Sequence, residues 1–164
     1  MTDSYPAWWR GSRGEWYVVA QFVLFGLVAF GPRSLEGAEP WPAAIAGVAA
    51  WIGAALMISG CLFLLAAARR LGPSLTPLPA PKPDSSFVEH GPYALVRHPI
   101  YAGVLLMAFG WGLVVQGTLT LGYAAVLAVL LDRKAAREER WLIERYPAYQ
   151  GYRRRVRKLI PFVY

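Results

Sequence analysis

Gly91-Pro92-Tyr93-Ala94-Leu95-Val96-Arg97-His98-Pro99-Ile100-Tyr101-Ala102-Gly103 is the stretch around which the rest of the chain is organised. It gathers turn-formers, a His and an Arg, then opens into an apolar run. His98 precedes a proline and is therefore pushed toward an extended backbone. Pro99 suits the first position of a helix, where a missing N–H costs nothing. The stretch predicts an ordered loop feeding a helix N-terminus. Such an end presents free N–H groups and a partial positive charge, suited to a carboxylate or another polar group.

Working outward, the composition sets the class. With 164 residues, 56% of them hydrophobic and seven of them Trp, this is a single domain too apolar for an ordinary soluble chain. Trp16–Pro32, Pro40–Ala68 and Pro99–Leu131 carry no charge. The second exceeds the roughly 20 residues that span a bilayer. The third is punctuated by Gln116-Gly117-Thr118 and reads as two short helices joined by a tight turn. No cleavable signal pattern is visible at the N-terminus, and Trp8 and Trp9 suit an interfacial arm over residues 1–15. One cysteine, Cys61, and two histidines are too few for a structural zinc site, and Cys61 reads as a small packing residue.

The net charge is +7, and its distribution is informative. Residues 132–164 hold ten basic and four acidic side chains, a net of +6. The loop 69–98 is +2, the loop 32–42 is −1 and the turn at 116–118 is neutral. The positive-inside rule then puts both termini and the 69–98 loop in the cytoplasm. A basic tail beside a membrane span is better matched to anionic lipid headgroups than to nucleic acid, which is not expected as a partner.

The predicted architecture is all-α: a polytopic membrane helix bundle with about four transmembrane helices and a C-terminal cytoplasmic helical extension. The spans are Trp16–Phe30, Pro42–Arg70, Pro99–Val115 and Leu119–Leu131, the last continuing through Asp132–Tyr146 to Pro147. Small residues fill the second span, which is expected to pack centrally. Five prolines between Leu71 and Asp84 exclude regular helix there. A last helix over Ala148–Lys158 has Tyr149, Tyr152 and Val156 on an apolar face. Short spans one and four would accept neighbours, so a homo-oligomer is compatible with the sequence.

The Gly91–Gly103 motif is followed by the pair Glu138-Glu139 and by Tyr149-x-x-Tyr152-x-x-x-Val156-x-x-x-Ile160-Pro161. This order resembles the isoprenylcysteine carboxyl methyltransferase family, integral membrane enzymes that use S-adenosylmethionine, over about Leu71–Pro161. The resemblance implies an N-terminal two-span part, 1–70, and a cofactor-binding catalytic part, 71–164. It implies that Ser85, Ser86, Phe87 and Val88 line the cofactor pocket. It also implies cofactor contacts from Tyr93, His98, Pro99, Ile100, Tyr101, Glu138 and Glu139. A basic residue one turn before the first Glu meets the substrate carboxylate in that family; the position is Lys134 here, with Arg137 and Arg155 as further basic candidates for the catalytic set.

The residue types fit that chemistry. A cationic sulfonium is stabilised by aromatic faces, which Tyr93 and Tyr101 supply. His98 and the helix start supply donors, and Glu138 supplies an acid for an ammonium. The implied acceptor is a lipophilic or prenylated molecule, methylated on a carboxylate or thiol. Alternatives are a phospholipid amine or small thiol as acceptor, and an NADPH-dependent sterol-type reductase. The related reductase motif has Asn where this chain has Ile100.

Overall fold

The computed structural model describes residues 14–78 and 87–164; Trp8, Trp9, Ser85 and Ser86 lie outside the described residues. Among the described residues the chain is helical, with α1 Glu15–Phe30, α2 Ala43–Leu71, α3 Pro92–Leu95, α4 Pro99–Val114, α5 Thr118–Arg145 and α6 Tyr149–Arg155. A 3₁₀ turn, Gly72–Ser74, follows α2. The predicted spans match α1, α2 and α4 to within a residue or so. Span four and its charged extension form one uninterrupted helix, as expected, with α5 ending at Arg145. The turn before it is tight: Gln116 takes φ 53° and Gly117 N–H bonds to Gly112 O at 2.9 Å.

The packing order corrects one expectation. The helix α4, not α2, is central: it contacts α2 on one side and α5 on the other, with α1 mainly on α5. The small residues of α2 serve a single close seam. Gly53 and Gly60 face Gly110 and Gly103 of α4 in antiparallel order. A Cβ on Gly53 would stand 2.5 Å from Gly110 O, and one on Gly60 2.7 Å from Gly103 O. Only hydrogen fits there, and the backbones gain dispersion contact along the seam. The remaining surface of α2 is turned outward. Trp51, Ile58 and Leu62 are exposed, and so is Cys61, which is therefore not a packing residue.

The loops meet at two ends. At one, Leu119 N–H bonds to Arg33 O at 2.9 Å, joining the 31–42 loop to the 116–118 turn. At the other, residues after α6 run extended beside the motif. Arg97 N–H bonds to Arg157 O at 2.8 Å and His98 N–H to Lys158 O at 3.1 Å. That pairing ends α6 at Arg155, short of the expected Lys158, because residues 156–158 must be extended to reach it.

Among the described residues one helix, Ala43–Ser74 with its 3₁₀ turn, is long and apolar enough to cross a membrane, and α1 and α4 are shorter apolar helices. Phe22, Val126 and Val129 are also exposed, so the outer surface carries many large apolar side chains, as suits contact with lipid. The protein is membrane-associated. Gly60→Leu or Gly103→Val is expected to destabilise the seam by about 1–3 kcal/mol and lower the Tm of the detergent-solubilised protein. Gly47→Ala, whose Cβ meets nothing within 4 Å, is expected to leave Tm unchanged or raised, and a differential scanning measurement separates the two.

Candidate active site

The motif predicted from sequence forms one wall of a cavity. It begins with the short turn α3, which opens at Gly91 with φ 65°. Val96 and the residues after it run extended, and Pro99 starts α4. The amides of Ile100 and Tyr101 fall in the first helical turn, before the first intrahelical acceptor bond, Ala102 N–H to His98 O. A cavity of about 350 Å³ lies against this turn. Tyr93, His98, Pro99, Ile100 and Tyr101 line it, with Val104 deeper along α4. Helix α5 contributes Leu131, Lys134, Glu138 and Leu142, which share one face. Phe87 and Val88 close another side.

Glu138 is the acid of this cavity. Its carboxylate accepts a bond from Tyr101 Oη at 3.0 Å and stands 3.6 Å from His98 Nδ1. The His98 and Tyr101 rings stack at 5.4 Å, nearly parallel. Its side chain is 28% exposed, so it remains reachable. Burial, aided by Glu138, pushes the Tyr93 phenol well above its ordinary range, so its ring stays neutral.

Lys134 is buried, 1% exposed. Its ammonium donates to Gln21 Oε1 and sits 5.3 Å from the Tyr101 ring centre. Burial lowers it to about 8, against the opposing charge of Glu138.

Three expected site residues stand elsewhere. Glu139, one residue on, points about 100° away from Glu138. It bonds Arg97 Nε at 2.8 Å, His98 Nε2 at 3.1 Å and Arg153 Nε at 3.1 Å. Burial raises the Glu139 carboxyl, but the bonds and charges of His98 and Arg97 outweigh it and hold it at about 2. It braces the wall rather than lining the cavity. Arg137 stacks against Tyr17 and Trp141 and is not among the residues that line the cavity. Arg155 is 70% exposed and pairs with Glu89.

The structure adds residues that the sequence did not assign to the site. Tyr146, Tyr149 and Tyr152 all line the cavity and surround Phe87 at ring distances of 5.3–5.7 Å. Tyr152 Oη donates to Tyr93 O at 2.6 Å, tying α6 to the motif. Leu75, Thr76 and Pro77 after α2 also reach it. Gln21 was legible in principle, as the one amide in the apolar run Trp16–Phe30.

The phospholipid methyltransferase family model matches residues 48–149, which include the motif, the cavity face of α5 and Glu138. The chain belongs to the phospholipid methyltransferase family. This family includes members of the isoprenylcysteine carboxyl methyltransferase type. Among curated relatives, the cobalt-zinc-cadmium resistance protein CzcN of Cupriavidus metallidurans is 29% identical over 90% of this chain and 62% of its own length. The nickel-cobalt-cadmium resistance protein NccN of Alcaligenes xylosoxydans xylosoxydans is 27% identical over 90% of this chain and 63% of its own. The chain thus spans less than two thirds of those relatives. Mouse delta(14)-sterol reductase TM7SF2 is 40% identical over 45% of this chain but 19% of its own length.

The clasp around Glu139 yields a stability prediction. A carboxyl held near 2 in the fold and near 4.5 when unfolded stabilises fully above pH 4.5. That contribution fades as pH falls and is gone below about 2. Glu139→Gln removes the charge that Arg97 and His98 pair with and is expected to cost about 3–5 kcal/mol at neutral pH. The difference in Tm between wild type and variant should shrink steadily between pH 4.5 and the lowest pH at which the protein stays folded.

Proposed function

We propose that this protein is an S-adenosylmethionine-dependent methyltransferase of the membrane, acting on a carboxylate or thiol of a lipophilic acceptor. The observation that carries this reading is the cavity itself. It sets aromatic rings, first-turn helix amides and one reachable carboxylate, Glu138, around a volume in the range of small-molecule sites. That donor set fits the cofactor. Glu138 would take the ammonium of the amino-acid part and the amides of Ile100 and Tyr101 its carboxylate. Phe87 and the tyrosines around it would wall the adenine.

When bound, S-adenosylmethionine supplies a methyl group on a sulfonium, already a good leaving group. The chain's own residues then have little proton chemistry to perform. Their work is to orient the acceptor in line and to exclude water. Tyr93 and Tyr101 offer neutral ring faces to a cation. Ile100, Val104, Leu131 and Leu142 give the same cavity apolar walls for a lipid-like tail.

The fold supports a four-span arrangement: α1, α2, α4 and the first half of α5, with the basic 69–98 loop and both termini cytoplasmic. The two loops that pair at one end are the neutral and acidic ones, and the strongly basic segments gather at the other. A second reading, hydride transfer from NADPH, is favoured by the 40% identity to the sterol reductase across the shared segment.

Titrating the detergent-purified protein with S-adenosylhomocysteine and NADPH in parallel separates these. Saturable binding of the first alone is expected. Glu138→Ala should weaken it at least tenfold, about 1.4 kcal/mol, with little change in Tm. Binding of NADPH alone, or an unaltered affinity in Glu138→Ala, would overturn the assignment.

A further inference from the structure

Gln21 is a polar side chain in the middle of an apolar helix. Its neighbours in α1 are Ala20 and Phe22, and the run Trp16–Phe30 holds no other amide. An amide placed there is unfavourable unless bonded, and intramembrane polar groups are retained for a task. Its partner is Lys134, across the α1–α5 contact, and both side chains line the cavity. An ammonium carries three donors and a glutamine amide two. Among the described residues, Gln21 Oε1 is the hydrogen-bond acceptor of Lys134, and neighbouring Glu138 is engaged by Tyr101. Donors on both residues therefore remain for a bound molecule. One cation and one amide, fixed side by side at a cavity with apolar walls, match an oxyanion on a lipophilic tail.

We propose that Gln21 is a specificity-determining residue: it fixes the Lys134 ammonium at the cavity wall, and the two together bind the carboxylate of the methyl acceptor. A lone Lys is a point charge without the planar fork of Arg. The amide supplies the second, directional donor. Gln21 lies outside residues 48–149, the part matched by the family model. Acceptor recognition in this chain is then encoded partly in α1, outside the segment that the family model matches. The inference rests on the methyltransferase reading. In the step implied, a carboxylate oxygen forms the O–CH₃ bond as the S–CH₃ bond breaks. The sulfonium becomes a neutral thioether, the acceptor loses its negative charge and no proton moves.

The test measures two affinities on the detergent-purified protein. The first is for S-adenosylhomocysteine. The second, with that ligand saturating, is for N-acetyl-S-farnesylcysteine and for its methyl ester, which keeps the tail and lacks the oxyanion. The variants are Gln21→Met, which removes the amide, and Gln21→Glu, which sets a carboxylate against the ammonium. Both should bind S-adenosylhomocysteine as wild type does, which also reports an intact fold. Both should lose at least tenfold in affinity for the acid, Gln21→Glu more than Gln21→Met, with the ester changed less than twofold. Equal losses for acid and ester, an unchanged affinity for the acid, or no saturable binding of the acid to wild type would each overturn the role of Gln21 while leaving the cofactor reading standing. Failure of wild type to bind S-adenosylhomocysteine would remove that reading and the inference with it.

Discussion

A single buried carboxylate holds the functional end of the bundle together. Glu139 is 4% exposed and lies on α5, yet its partners come from the motif loop and from α6. Arg97 completes the tie. Its guanidinium spends one donor on Glu139 and others on the carbonyls of Arg153 and Val156. The planar fork of Arg suits this task, since its donors are fixed in direction. Three segments of low local stability are thereby locked: the extended residues after α3, the seven-residue α6 and the residues that follow it. None would be stable alone, because helices this short are marginal in water.

The tie also decides which way α5 faces. With Glu139 turned toward Arg97 and Arg153, the helix must present Leu131, Lys134, Glu138 and Leu142 to the cavity. Adjacent glutamates thus take opposite tasks. One is sealed and charged at neutral pH, while the other stays reachable beside Tyr101 and His98. The imidazole of His98 serves both, with Nε2 toward Glu139 and Nδ1 toward Glu138. The cavity wall is consequently stiff where it meets the motif, and preorganisation of this kind is what a reaction governed by positioning requires.

Much of this was legible in the sequence, for physical reasons that differ by element. Uncharged runs and the Gln116-Gly117 break place α1, α2, α4 and the start of α5 within a residue or so. Pro99 after His98 fixes the start of α4. The association of Tyr93, His98 and Tyr101 with Glu138 was readable from motif order. Which face of α5 looks inward was not, because Glu138 and Glu139 are equivalent until their partners are placed. Arg137 looked like a candidate by proximity, but helical rotation carries it to Tyr17 and Trp141. The end of α6 was missed because residues 156–158 obey a long-range pairing with residues 96–98 rather than their own helix propensity. The centrality of α2 was overestimated, since small residues show only that a close partner exists, not how many.

The lengths of the helices bear on where the chemistry lies. At 1.5 Å per residue, the 16 residues of α1 and of α4 each extend roughly 24 Å, short of a hydrocarbon core of about 30 Å. Gln21 lies six residues into α1, about 9 Å from its start, and His98 immediately precedes α4. The same end of the bundle carries Lys134 and Glu138, just past the apolar half of α5. In a four-span arrangement these groups stand at the edge of the apolar layer, neither in bulk water nor at mid-membrane. A tail packed along Val104 and Leu131 would remain in the hydrocarbon while its polar head reached Lys134, and a water-soluble cofactor would approach from the side of Phe87 and Tyr146. With α1 and α4 shorter than α2 and α5, such an arrangement would bring the water boundary down to Lys134 and Glu138 without breaking the bundle.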